Sequence, residues 1–243
     1  MKEDVNKNDF GIFSILNKGF WEAWPICLGY IPIGIAFGVL AQKAGLTPME
    51  IGLMSLIVFA GSSQFIAVSM ISAGASMGAI IMTTFAVNLR HLLMSSSLSV
   101  FLKEVSRLKL TLFAYGVTDE SFAVNYVRFK EGGWDPDSAL VVNHLPNLTW
   151  IAATIMGGYG GQFIPAGAFG IDYALIAMFI CLLVFQLKAW KYVLTAILSG
   201  TLAVILSLAL PGNWYIVLAS VIAATIVVMI VKKSGEENAD DID

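Results

Sequence analysis

The chain has 243 residues, of which 58% are hydrophobic and 13% charged. Soluble domains carry about 25% charged residues, so a soluble globular domain is excluded. The balance of 14 basic against 17 acidic side chains, net −3, also excludes the clustered basic surface that nucleic-acid binding requires.

Residues 1–23 mix charges with Phe10, Phe13, Leu16 and Phe20 at three- and four-residue steps. This spacing predicts a helix with one apolar side, expected to lie at the cytoplasmic interface ahead of the first crossing. Eight apolar runs follow, at 24–41, 51–72, 76–102, 108–127, 147–163, 168–187, 192–210 and 213–231. A crossing takes about 20 apolar residues. The pattern therefore predicts an all-α polytopic membrane protein with about eight transmembrane segments in a single domain over 24–231. Residues 232–243 read as an acidic cytoplasmic tail. Cys27 and Cys181 sit inside apolar runs without a CxxC partner and read as small hydrophobes, with no metal site implied.

The first five runs carry polar groups at membrane depth, whereas the last three are clean. Run 51–72 is interrupted by Ala60-Gly61-Ser62-Ser63-Gln64. A helix broken there would present backbone N–H groups at the start of its second half, a terminus that attracts a carboxylate. The alternative is tight packing through small residues, with one interhelical bond from Gln64. Run 76–102 holds Asn88, Arg90 and His91 near its centre, where an arginine costs about 2.5–3.5 kcal/mol on insertion scales. Its 27 residues exceed what a straight crossing needs, so it is expected to tilt strongly or to break near Asn88. Run 108–127 holds Thr118, Asp119 and Glu120. Neighbouring helical residues point about 100° apart, so one of the two acids is expected to pair with Arg90 while the other lines a cavity. His91 and the acids are candidate proton carriers. A purely structural ion-pair network remains the alternative.

Pro146 suits the first turn of a helix, and Asn143, His144, Asn147 and Trp150 around it read as a polar cap with an interfacial anchor, or as the mouth of a pathway. Gly157-Gly158-Tyr159-Gly160-Gly161 and Pro165 predict a flexible turn.

Short-loop basic residues set orientation. With eight crossings and a cytoplasmic N-terminus, Lys2, Lys7, Lys18, Arg128, Lys130, Lys188, Lys191, Lys232 and Lys233 fall inside, and Lys43, Lys103, Arg107 and Lys109 outside. The cluster at 103–109 is the misfit. It would move inside in a six-span alternative in which 76–102 and 108–127 turn back as re-entrant segments. Both versions place N- and C-termini in the cytoplasm.

Several blocks together resemble the AzlC-type branched-chain amino acid permeases. They are Gly19-Phe20-Trp21-Glu22-Ala23-Trp24-Pro25, Leu28-Gly29-Tyr30-Ile31-Pro32-Ile33-Gly34-Ile35-Ala36-Phe37-Gly38, Ala60–Phe65, Asn88-Leu89-Arg90-His91 and Thr118-Asp119-Glu120-Ser121-Phe122. Thr149-Trp150, Gly170-Ile171-Asp172-Tyr173-Ala174 and Phe179 continue the likeness, which covers about 18–232. The resemblance implies a secondary transporter of the inner (cytoplasmic) membrane without a cofactor. It would export valine, leucine and isoleucine, with methionine in some members, alongside a small hydrophobic AzlD-type subunit.

Placed on these shared blocks, Gly61, Ser62, Ser63, Gln64, Phe65, Asn88 and Phe122 are expected to bind the amino-acid substrate. Arg90, His91, Asp119 and Glu120 are expected to serve proton coupling or ion pairing. The other readings are a passive channel or structural subunit, or an intramembrane hydrolase using Ser62 or Ser63 with His91.

Overall fold

The computed structural model describes residues 7–103, 105–164, 189–209 and 214–240, with isolated residues between 173 and 187. The described residues are helical, with no strand among them. The helices are α1 (Lys7–Lys43), α2 (Pro48–Val58), α3 (Gly61–Ser72), α4 (Met77–Ser99), α5 (Arg107–Tyr115), α6 (Asp119–Glu131), α7 (Pro136–Gly160), α8 (Trp190–Ala209) and α9 (Trp214–Asp240). The chain divides into one compact unit of residues 1–75 and 87–175 and a second of 76–86 and 176–243. The expected run 168–187, with Cys181, Phe179 and most of Gly170–Ala174, lies largely outside the described residues.

The first unit is organised by α1 and α7, which pack side by side in parallel through small residues. A Cβ at Gly38 would lie 2.1 Å from the Thr154 carbonyl oxygen, and one at Gly157 would lie 2.2 Å from that of Ile35. Gly34 and Gly38 on α1 thus meet Ala153, Thr154 and Gly157 on α7. Backbones approach this closely only where side chains are minimal, the small-xxx-small seam of membrane helices. The expected turn at Gly157–Gly161 is therefore corrected. These residues continue the helix and end in a 3-10 turn at Gly161–Phe163, where Gly157 and Gly161 lie close against α1 and Gly158 against Pro48 and Ile51. The expected helix start at Pro146 is corrected too. α7 begins at Pro136, with Asp135 as its N-cap, and Pro146 lies inside it.

We call the end of this unit where α1 begins the near end. Two helical hairpins enter the unit from opposite ends. α2 starts at the far end, where Pro48 and Ile51 meet Gly158. It runs inward until Phe59 takes a left-handed backbone, φ 34°, a conformation costing a non-glycine residue about 1–2 kcal/mol. The chain then doubles back. The Gln64 amide donates to Ser55 at 3.1 Å, and Phe65 packs on Phe37 of α1 with ring centroids 5.1 Å apart. These contacts need α3 to return alongside α2.

The second hairpin mirrors the first. α5 starts at the near end, where Lys109 pairs with Asp137 at 2.6 Å. It ends at Gly116 against Asn143. α6 then returns to the near end, where Phe129 stacks on Phe101 just beyond α4, centroids 5.3 Å apart, and Arg128 pairs with Glu22 of α1. Each hairpin arm, of 9 to 13 residues, spans about 14–20 Å, roughly half to two-thirds of a 30 Å hydrocarbon core.

Runs 51–72 and 108–127 are thus helical hairpins. Of the two segments expected to turn back in the six-span alternative, 108–127 does so and 76–102 does not. That run is instead one unbroken helix, α4, which neither breaks near Asn88 nor turns back. It contains no proline, and Arg90 and His91 bond to neighbouring helices through their side chains instead of opening its backbone. Among the described residues, α1, α4, α7 and α8 contain stretches long and apolar enough to cross a membrane. α1 is continuous from the segment expected at the interface into the first apolar run, despite Pro25 and Pro32.

In the second unit α8 packs on α9. Ala219, Ala223 and Val227 of α9 are buried at four-residue steps, while Val204, Ile205 and Leu208 of α8 are exposed, as suits lipid contact. α9 continues as helix to Asp240.

Candidate functional site

The tips of the two hairpins meet at α4. Arg90 Nη1 lies 2.6 Å from Asp119 Oδ2, and Nη2 donates to the Ser62 hydroxyl at 2.5 Å. One guanidinium thereby joins the second residue of α3 to the first residue of α6. His91 Nδ1 lies 2.8 Å from the Val117 carbonyl. Since a carbonyl only accepts, Nδ1 carries the proton, and in the neutral ring Nε2 is left as an acceptor. The tips also touch directly. Tyr115 donates to the Leu56 carbonyl, and its ring lies 6.2 Å from that of Phe59.

The two tips are chemically unlike. Ala60, the N-cap of α3, offers no side-chain bond, so the first N–H groups of α3 form an uncapped positive terminus. At α6, Thr118 and Ser121 form a reciprocal capping box. That N-terminus is satisfied locally and adds Asp119 and Glu120, both favourable at the positive end of a helix. Glu120 accepts from the Tyr30 hydroxyl of α1 at 2.7 Å, and that hydroxyl also lies 3.0 Å from Thr118.

α7 fixes both hairpins with a polar stripe at 143, 147, 150 and 154, the i, i+4, i+7, i+11 spacing of one helix face. Asn143 donates to the Phe113 carbonyl and accepts from Asn125. Asn147 donates to Tyr115. Trp150 donates to Gln64 at 3.0 Å, and Thr154 bonds Ser55 at 2.9 Å. The expected interfacial cap at 143–150 is therefore corrected: Asn143, Asn147 and Trp150 are buried and hold the hairpins. His144 stacks on Tyr115 with centroids 6.1 Å apart.

Of the residues expected from sequence, Ser62, Arg90, His91, Asp119 and Glu120 come together at the tips. Gly61 lies under the Trp150 ring, which a Cβ there would meet at 3.2 Å. Ser63 bonds the Ala60 carbonyl. Neither serine is held by His91. Gln64 is buried, with its amide engaged by Ser55 and Trp150. Phe65 is packed on Phe37, and Phe122 stacks on Tyr126 beside the apolar cluster of Leu98, Leu102, Phe113 and Val117. Asn88 Oδ1, Arg90 Nε and His91 Nε2 are buried without a hydrogen-bond partner among the described residues. Buried polar atoms are nearly always paired, so these three atoms set this stretch of α4 apart from the rest of the described residues.

Tyr30, Ser55, Tyr115 and Thr154 were missed by the sequence reading, which singled out Asn143, Asn147 and Trp150 but not their common helix face. The stripe's helical spacing was the available signal, hidden because Pro146 suggested a helix start. A cleft of about 410 Å³ opens at the far end, lined by Gln42, Thr47, Pro48, Tyr159 and Gln162 among others, away from the tips.

Opposed hairpins meeting at ionisable groups inside a helical, lipid-compatible unit define a polytopic α-helical membrane protein with a partly buried polar centre. The chain belongs to the AzlC family, whose model, described as AzlC protein, matches residues 25–164. It is 31% identical over 203 residues to inner membrane protein YgaZ of Escherichia coli, covering 80% of this chain and 82% of that one. It is 29% identical over 211 residues to branched-chain amino acid transport protein AzlC of Bacillus subtilis, covering 85% and 81%. An uncharacterized membrane protein of Helicobacter pylori is 30% identical over 224 residues, covering 90% and 97%. No solved structure matches the chain.

Proposed function

We propose that this chain is the large subunit of a secondary transporter that exports branched-chain amino acids, namely valine, leucine and isoleucine, with methionine a further candidate. Proton exchange would drive it across the inner (cytoplasmic) membrane, beside a small AzlD-type hydrophobic subunit. The observation that carries this reading is the meeting of two unlike hairpin tips at Arg90. The uncapped α3 terminus with Arg90 suits a carboxylate. Asp119 and Glu120 suit an ammonium group. A zwitterion matches both, and the surrounding apolar side chains match an aliphatic tail. The Bacillus subtilis relative, a branched-chain amino acid transport protein by name, supports the substrate class. The companion subunit follows from the family resemblance.

On this reading both termini are proposed to be cytoplasmic. In the first unit Lys18, Lys103, Arg107, Lys109, Arg128 and Lys130 fall at the near end and Lys43 at the far end, which favours a cytoplasmic near end. The hairpin at α5–α6 brings the misfit cluster 103–109 to that side.

The test is amino-acid levels inside and outside a deletion strain fed dipeptides. Retention of valine, leucine, isoleucine or methionine, relieved by restoring the gene, is the expected result. Equal retention with and without the gene would end this reading.

A further inference from the structure

The sequence leaves open which of the adjacent acids Asp119 and Glu120 is tied to Arg90. In the structure Asp119 takes the guanidinium at 2.6 Å, and Glu120 takes the hydroxyl of Tyr30 at 2.7 Å. The difference in partner is a difference in chemistry. Arg90 stays charged at any physiological pH, so protonating Asp119 would leave a fixed cation without the carboxylate charge now paired with it. Tyr30 is neutral, so Glu120 can gain a proton without stranding a countercharge.

Tyr30 has a second acceptor within reach, the Thr118 hydroxyl at 3.0 Å. When Glu120 is charged, the phenol proton is held by the carboxylate. When Glu120 is neutral, the phenol can turn to Thr118 and leave the carboxyl free to donate. The Tyr30 ring is fixed for this by its edge-to-face contact with Trp150, centroids 5.4 Å apart, and Trp150 itself holds Gln64 of the opposite hairpin.

The other charged or titratable groups acting here are Arg90 and His91 on α4 and Asp119 on Glu120's own helix. Two turns towards the near end, on the same α1–α6 seam, lie Glu22 and Arg128.

We propose that Glu120, rather than Asp119, is the carboxyl that takes up and releases the transported proton, and that Tyr30 is its positioning residue. The step balances simply: a proton from water at one face adds to a Glu120 carboxylate oxygen, and the same proton leaves to water at the other face. This rests on the transport reading above.

The test combines leucine movement into vesicles reconstituted with the purified protein, at pH 5–9, with the infrared band of protonated carboxyls in the same preparations. A protonated-carboxyl band that titrates across this range is expected to vanish in Glu120→Gln and persist in Asp119→Asn. A hydrogen bond donated to a carboxylate favours its charged form. In Tyr30→Phe, which keeps the ring on Trp150, the band and the transport profile are therefore both expected to move to higher pH. Loss of the band in Asp119→Asn instead of Glu120→Gln, or an unmoved band and profile in Tyr30→Phe, would overturn the proposal while leaving transport intact. Absence of leucine movement by the wild-type protein, alone or with its companion, would overturn the transport reading and this proposal with it. Should Tyr30→Phe fail to fold, the comparison of the two acid variants decides alone.

Discussion

Arg90 and Asp119 form an ion pair of 2.6 Å between the middle of a through-running helix and the tip of a hairpin. The guanidinium's other arm holds Ser62 on the opposing hairpin. A planar fork can bridge two partners in this way, whereas a lysine ammonium is a single point charge on a flexible stem. Arg90→Lys is expected to lower leucine efflux at least tenfold at unchanged membrane level. Efflux equal to wild type would show that the bridge is dispensable.

The hairpins make a topological prediction that eight straight crossings do not. Cysteines at Ala44 and Ala75, before α2 and after α3, should both react with a membrane-impermeant maleimide from the far side. Cysteines at Lys103 and Glu131, flanking α5–α6, should both react from the near side. Labelling of either pair from opposite sides would turn that hairpin into a crossing.

The α1–α7 seam tolerates no added carbon. A methyl at Gly38 would sit 2.1 Å from a backbone oxygen, which no rotamer change relieves. Gly38→Ala is expected to destabilise by about 1–3 kcal/mol, the usual cost of overpacking, read as a lower melting temperature in detergent. Gly29→Ala, with nothing within 4 Å of its Cβ position, is the matched control and should melt at or slightly above wild type, alanine being the better helix former.

On the α1–α6 seam, Tyr30 meets Glu120 and, eight residues further on each helix, Glu22 meets Arg128. Eight residues is about 12 Å of helix, so the seam is held at two levels. Glu22→Gln is expected to raise the rate at which a near-side thiol reagent reaches a cysteine at Ser62, by roughly the few-fold that loss of a partly exposed ion pair allows. An exchange of charges, Glu22→Arg with Arg128→Glu, should restore slow labelling. Equal labelling rates in all three proteins would show that the Glu22–Arg128 pair does not limit access to Ser62 from the near end.

Much of the site was legible because charge in hydrocarbon is costly wherever it falls. Arg90, His91, Asp119 and Glu120 announce themselves in a chain with 13% charged residues, and Gly61 with its serines marks a break in a run otherwise fit to be helical. Less visible were residues whose polarity is ordinary for a membrane boundary. Asn143, Asn147 and Trp150 read as an interfacial cap, since Pro146 among them favours a helix start. In the structure α7 carries that proline in its interior and turns the same residues inward. Tyr30 gave no signal at all: a tyrosine amid apolar residues is unremarkable until a carboxylate is placed against its hydroxyl.

Composition and periodicity alone determined that the chain is a helical membrane protein with ionisable groups at depth, because every residue contributes to the cost of leaving water and those costs add along the sequence. Whether an interrupted run crosses or turns back, and which of two neighbouring acids meets the arginine, was decided only by tertiary structure. Those outcomes depend on partners brought from distant helices, on Ser55 reaching Gln64 across a tip and Tyr30 reaching Glu120 across 90 residues, and no local term in the sequence encodes that encounter.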